Sequence, residues 1–394
     1  MSEIIAKSKF SCPSCGAEAQ WNPAKHALVC PFCGTEAPMP EPNAGGAAVE
    51  EHDLVAALRS IPDDQRGWQA EKKSVKCQSC QAITVFDPTH VAQRCAFCGS
   101  SALIPMDEIM APIRPESLLP FGITKQVANE RFGTWLKTLW FRPNDLTKMA
   151  SVQEMGGVYV PYWSFDSGVY SSWSAERGWH YMESEQVQET NADGQTEWRT
   201  REVQKTRWEP ASGSRQDYYK DVLVCAGKGL PEALAVKFVS FEMARLVPYQ
   251  PQFLAGWRAE SYTLDLMPGW AKGQGIIAQG QEQRCSSDIG GDTSRGLQVS
   301  NQFQQSAFKH VLLPVWIAAY RYKGKVFRFL VNGQTGEIVG EAPWSVAKIA
   351  LLVVFILALI GGIVAVVQSQ QSHQRSNSPP AAAPARSQGR HQGH

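Results

Sequence analysis

The chain has 394 residues, 43% of them hydrophobic and 19% charged, with 38 Lys and Arg against 37 Asp and Glu for a formal net charge of +1. Balance of this kind excludes a strongly basic nucleic-acid coat and a self-repelling acidic tail as the organising feature. The length allows two or three domains at the usual ~100–200 residues each. The first ten residues hold two Lys and no long apolar run, so they do not read as a secretory signal, and the bulk of the chain is expected in the cytosol.

Cysteine spacing then dominates. Cys12 and Cys15 are followed by Cys30 and Cys33, and Cys77 and Cys80 by Cys95 and Cys98, with 14 residues between the pairs of each unit and an offset of 65 between units. At that offset Trp21 matches Phe86, Pro23 matches Pro88, Phe32 matches Phe97, Gly34 matches Gly99 and Pro40 matches Pro105. A Cys-x-x-Cys on a tight turn brings two thiolates to one metal, and two such turns close a tetrahedral Zn²⁺ site. Gly16, Gly34 and Gly99 fall where the turn after each knuckle requires φ > 0. The spacing predicts a zinc ribbon at 10–40 and another at 73–105, each with a short hairpin carrying one aromatic (Trp21 or Phe86) over the site. Fragments this small bury too little apolar surface to fold without their metal. Disulfides would need a secretion signal, and paired knuckles at ribbon spacing favour zinc over an iron–sulfur cluster. All four ligands of each site come from protein, which marks structural rather than catalytic metals. Cys225 and Cys285 stand alone, with no His at motif spacing.

Residues 41–72 read as a linker with one short helix, on which Val49, Leu54, Val55 and Leu58 form a stripe. Residues 106–344 read as a mixed α+β domain. Its helix candidate covers 127–141, with Val127, Phe132, Trp135, Leu136 and Trp140 on one face and Pro143 beyond its end. Two strand segments share a pattern, GVYVPYW and LLPVW, and a Pro inside each predicts an edge or a bulge. Residues 183–207 predict an exposed polar hairpin, and turns at 322–325 and 332–336 predict a closing meander. Trp163, Trp173, Trp179 and Trp316 are candidates for an aromatic groove, although aromatics at strand spacing usually belong to the core. The segment 349–367 runs 19 residues without a polar side chain, about 28 Å of helix, enough for one membrane span. The remainder, 368–394, is polar and predicted to be disordered. A margin of one basic residue would place this tail inside. The lack of a signal sequence and the late position of the span outweigh it, so a single-pass protein with its bulk in the cytoplasm is expected.

The ribbon pair, the LLPF–WL–WF–P stretch over 118–143, GVYVPYW, LLPVW, NGQTGEIVG and the terminal span together resemble one bacterial family over residues 10–367. It is that of membrane-anchored double zinc-ribbon (TFIIB-type) proteins, often labelled "primosomal protein N′ (replication factor Y), superfamily II helicase"-like. The resemblance implies a scaffold in envelope-stress or membrane-maintenance complexes, with flotillin-like or phage-shock-type protein partners. The helicase label is not supported by the residues: neither Gly227-Lys228-Gly229 nor Lys272-Gly273 forms a phosphate-binding loop. No nucleophile triad or catalytic-metal motif is present either, so no enzyme is expected. The alternative is a replication-associated nucleic-acid-binding protein. Residues 1–100 carry nine Lys and Arg against eleven Asp and Glu, and each four-thiolate zinc site adds two further negative charges, which disfavours phosphate contacts.

Overall fold

The computed structural model describes residues 10–37, 51–59, 73–86, 94–106, 113–146, 151–152, 155–190, 196–238 and 240–376. Three short strands, β1 (Gln20–Asn22), β2 (Ala27–Val29) and β3 (Glu36–Ala37), make an antiparallel sheet of their own. After β4 (His52–Asp53) and α1 (Leu54–Arg59) come β5 (Lys73–Cys77), β6 (Ile83–Phe86), β7 (Leu103–Met106) and β8 (Ser117–Leu118). Helix α2 (Lys125–Thr138) follows, then β9 (Ser151–Val152), β10 (Gly156–Thr190), β11 (Thr196–Cys225), α3 (Glu232–Ala235), β12 (Val247–Pro248) and β13 (Arg258–Ser261). The last elements are α4 (Leu266–Asp288), β14 (Thr293–Tyr322), β15 (Lys325–Asn332), β16 (Ile338–Gly340) and α5 (Val346–Ser376). Among the described residues, thirteen strands join one sheet, so the architecture is mixed α+β as expected.

Its axis is the antiparallel pair β10–β14, which aligns the two patterned segments side by side: Val158 faces Val315, Tyr159 faces Pro314 and Pro161 faces Leu312. The two prolines lie neither on an edge nor at a bulge. The Pro161 carbonyl accepts from Ala226 N at 2.9 Å, on the side away from β14. Its missing N–H therefore falls in the gap between β13, which pairs through Tyr159, and β11, whose pairing begins with Cys225 opposite Tyr162. Pro314 repeats this on the other strand. Its carbonyl accepts from Gly333 N at 2.9 Å, between β8, which ends opposite Leu312, and β15, which begins opposite Val315. A proline costs no ladder bond where the neighbouring strand changes.

Alternation sorts the core into two faces. Tyr159, Leu312, Trp316, Ala318 and Tyr320 face α2 through Ala128, Phe132 and Leu136. Val158, Val160, Tyr162, Leu313 and Val315 face α3 and Phe238. Further along β10, α4 presses Gly269 and Gly273 against Trp163 and Phe165. The Thr124 hydroxyl caps α2 by accepting from Val127 N at 3.3 Å. The helix stops at Thr138, earlier than its apolar spacing suggested, and Trp140 turns outward. Of the α1 stripe, Leu54 is buried, while Val49 lies outside the described residues.

Beyond Gly178, where β14 leaves off, β10 pairs with β11 alone up to Thr190 opposite Thr196. This two-stranded arm is about 40 Å long. It contains the predicted polar hairpin, with Trp179, Tyr181 and Trp198 exposed on it and Lys205 bridging Glu183 and Glu185. At the other end, Tyr322-Lys323-Gly324-Lys325 makes the predicted turn with φ of 47° and 79° at its centre. Helix α5 carries the apolar stretch Val346–Val366, long and apolar enough to cross a membrane, and none of it is buried against the rest of the chain. It runs on to Ser376 rather than ending at 367, because an established helix extends cheaply through Gln, Ser and Arg. Residues 377–394 lie outside those described.

Candidate metal centres

Each four-cysteine group converges as its spacing demands. Cys12, Cys15, Cys30 and Cys33 place their sulfurs within 4.8 Å of one another, and so do Cys77, Cys80, Cys95 and Cys98. The close approaches are 3.4 Å for Cys12–Cys33, 3.5 Å for Cys15–Cys30, and 3.6 Å for both Cys77–Cys98 and Cys80–Cys95. Thiolates at ~2.3 Å from a tetrahedral metal stand roughly 3.8 Å apart, so the donor sets fit a four-thiolate ion with no open position.

Backbone geometry explains why the sulfurs meet. Cys12, Cys30, Cys77 and Cys95 each donate their amide to the carbonyl five residues on, at 2.6–2.9 Å. Four residues after each of these cysteines the chain turns back in the left-handed region, at Gly16, Gly34, Gln81 and Gly99, with φ of 70°, 75°, 62° and 71°. Three of the four are the glycines the spacing singled out. The repeat reaches the hydroxyls too: Thr35 bonds Ser14 at 3.0 Å, and Ser100 bonds Ser79 at 2.9 Å.

Four thiols this close cannot all ionise without a cation, and their acidities split. Cys33 is pulled down to about 6, first by the Thr35 hydroxyl 3.2 Å away. Cys95 is pulled down to about 5, first by its contact with Cys80. Cys80 is pushed well up by the same contact and by burial. Cys15 rises to about 12: the Ala17 amide opposes the change, but Cys30 and Cys33 outweigh it. A divalent cation resolves this conflict by stabilising all four thiolates together.

The two modules attach differently. The first sits on the face of the large sheet that α2 covers. Trp21 N donates to Ala255 O at 3.1 Å, Trp257 Nε1 donates to Trp21 O at 3.1 Å, and the Trp21 ring meets Phe253 edge-on at 4.9 Å. Trp21 thus serves as the docking residue of the module. The second module is woven into the large sheet, where β6 pairs with β13 at Val85–Ala259 and Thr84–Glu260. The repeated knuckle aromatic shows the contrast, for Phe32 is 82% exposed and Phe97 only 5%.

Sequence reasoning missed what holds Phe97. Gly229 backs onto its ring, where a Cβ would come within 2.3 Å of it. The loop carrying Gly229 is held by Glu260, whose Oε1 accepts from Lys228 N at 2.8 Å and from Gly229 N at 2.7 Å. Burial pushes the Glu260 carboxyl up to about 8. The Gly227-Lys228-Gly229 run is therefore a backbone cradle for a carboxyl group of the chain itself, a role no local spacing signals. The four candidate tryptophans do not gather into a groove. Trp163 and Trp173 lie in separate parts of the core, Trp316 packs with α2, and Trp179 is on the arm. Cys285 is buried on the inner face of α4, and Cys225 is pushed up to about 12 by burial.

Fold and site together define a mixed α+β protein with two four-cysteine centres and one long apolar helix. No family model matches the chain. A curated relative from Bacillus subtilis (strain 168), described as "Uncharacterized protein YdjG", is 26% identical over 252 residues, which are 63% of this chain and 70% of the relative. No solved structure matches.

Proposed function

We propose that this protein is a single-span membrane adaptor whose two centres hold structural Zn²⁺ in zinc ribbons and whose body meets protein partners at the cytosolic face. The observation that carries the reading is α5, which from Ile349 onward shows apolar side chains on every side and leaves them exposed rather than buried in the body. A helix of that composition needs an apolar surround, and a bilayer supplies one of matching thickness. The metal reading rests on the closed four-thiolate donor sets, which suit zinc. Phe32, exposed on a metal-stiffened turn of the first module, is the natural partner contact, since rigid aromatics dominate protein interfaces. Resemblance to the membrane-anchored double zinc-ribbon family points to flotillin-like or phage-shock-type partners.

The test is affinity capture of the tagged full chain from gently solubilised membranes, with nuclease treatment, compared with Phe32→Ala and with a Cys30→Ser/Cys95→Ser double variant. Membrane partners lost from both variants, with Phe32→Ala retaining two zinc ions, support the adaptor. Replication proteins, or partners that nuclease removes, would favour the nucleic-acid reading.

A further inference from the structure

The start of α5 is tied to a second element. Ser345 N donates to Phe141 O at 2.9 Å and Lys348 Nζ to Trp140 O at 2.9 Å. Arg142 donates to Ala342 O and lays its guanidinium 3.9 Å over the Trp344 ring. These contacts fix the loop after α2 beside the first turn of the apolar helix, and a helical turn is only about 5.4 Å long. The aromatic side chains gathered there do not point into the protein. Trp140 is 78% exposed and Trp344 64%, and Phe141 is exposed as well, although Leu136 and Phe132, one and two turns earlier on α2, are buried.

We propose that Trp140, Phe141 and Trp344 form a membrane-interface collar, seated in the headgroup layer of the bilayer that α5 enters. The proposal rests on α5 spanning a membrane and adds where and how the body touches the lipid. The chemistry suits that layer. Indole and phenyl rings take the apolar side of the boundary while indole N–H groups and cations take the wet side, which is why aromatic residues collect at membrane interfaces. Arg142, stacked on Trp344, and Lys348, bonded back to the Trp140 carbonyl, hold cationic groups at the same level. With two attachments, the span and the collar, the body cannot swivel freely about α5, and α2 is held at a set angle to the membrane.

The span itself contains no Trp, which makes the test selective. The full chain is reconstituted into phosphatidylcholine vesicles whose acyl chains carry bromine near the headgroup end, and Trp quenching is compared with Trp140→Phe, Trp344→Phe and the double variant. Phe keeps the ring in place, so folding is preserved. Shallow quenching in the native chain, reduced by each single change and mostly lost in the double variant, is the expected result. Absent quenching, or quenching the double variant retains, overturns the collar when alkaline washing leaves the chain in the vesicles. Release of the chain by alkaline washing would instead overturn the spanning reading and the collar with it.

Discussion

His310 is the clearest single-residue determinant of acid stability. Its ring is buried, Nδ1 lies 2.8 Å from Ile113 O, and Trp163 and Tyr262 pack beside it at 4.9 and 5.4 Å. The carbonyl fixes the proton on Nδ1, and burial lowers the imidazole from 6.5 to about 4. The unfolded chain therefore binds a proton that the native chain refuses, and the resulting stability is complete above pH 6.5 and lost as pH falls toward 4. The loss amounts to about 3 kcal/mol. His310→Asn keeps a donor for Ile113 and removes the titration. Melting curves of the detergent-solubilised chain should show a shallower decline over that pH window than the native chain, at some cost near neutrality. Gly229→Ala acts at the second centre. Its methyl would overlap the Phe97 ring, at a cost of about 1–3 kcal/mol, and chelator competition should release that metal faster while the first centre keeps its own rate. Gly16, Gly34 and Gly99 could be read from spacing because a tight turn dictates their conformation. His310 and Glu260 could not, since both depend on burial among residues far away in the chain.

Elements show the same division between local and long-range signals. The two modules were legible as one repeat, but their unequal attachment was not, because the β6–β13 pairing joins residues near 85 to residues near 259. That pairing separates the effects of ligand loss. Each of Cys30→Ser and Cys95→Ser should remove one metal ion per chain by elemental analysis. The first should expose only residues 10–37 to protease, leaving the melting temperature of the body nearly unchanged. The second should lower the main transition, because an unfolded second module strips β5–β7 from the large sheet. The shared pattern marks the two proline segments as strands, but a proline in each points to an edge or a bulge and neither is found, since a gap between successive neighbours on one side of a central strand leaves no mark in the strand itself. Helix α4 is illegible in the sequence for a different reason: Gly269 and Gly273 form its contact stripe, and small residues suited to close approach to Trp163 and Phe165 look like breakers rather than a buried face.

At the scale of the whole molecule, the α+β body, the four-cysteine pairs and the terminal apolar helix could all be anticipated, because each rests on composition or periodicity within a short window. How far the hairpin reaches beyond the sheet could not, since arm and core share two continuous strands and only the end of β14 divides them. The pairing of β10 with β14 also sets an order of events during synthesis. The cysteine turns and the β10–β11 hairpin join near neighbours and can form as soon as they emerge. Tyr159 must wait for Pro314, so the central ladder closes only once synthesis has entered the last quarter of the chain. Helix α5 follows almost at once. Folding of the body and delivery of the apolar helix to its destination are thus nearly simultaneous, and throughout the synthesis between β10 and β14 the nascent chain keeps the edge of β10 bare, a period in which a chaperone has the most to protect.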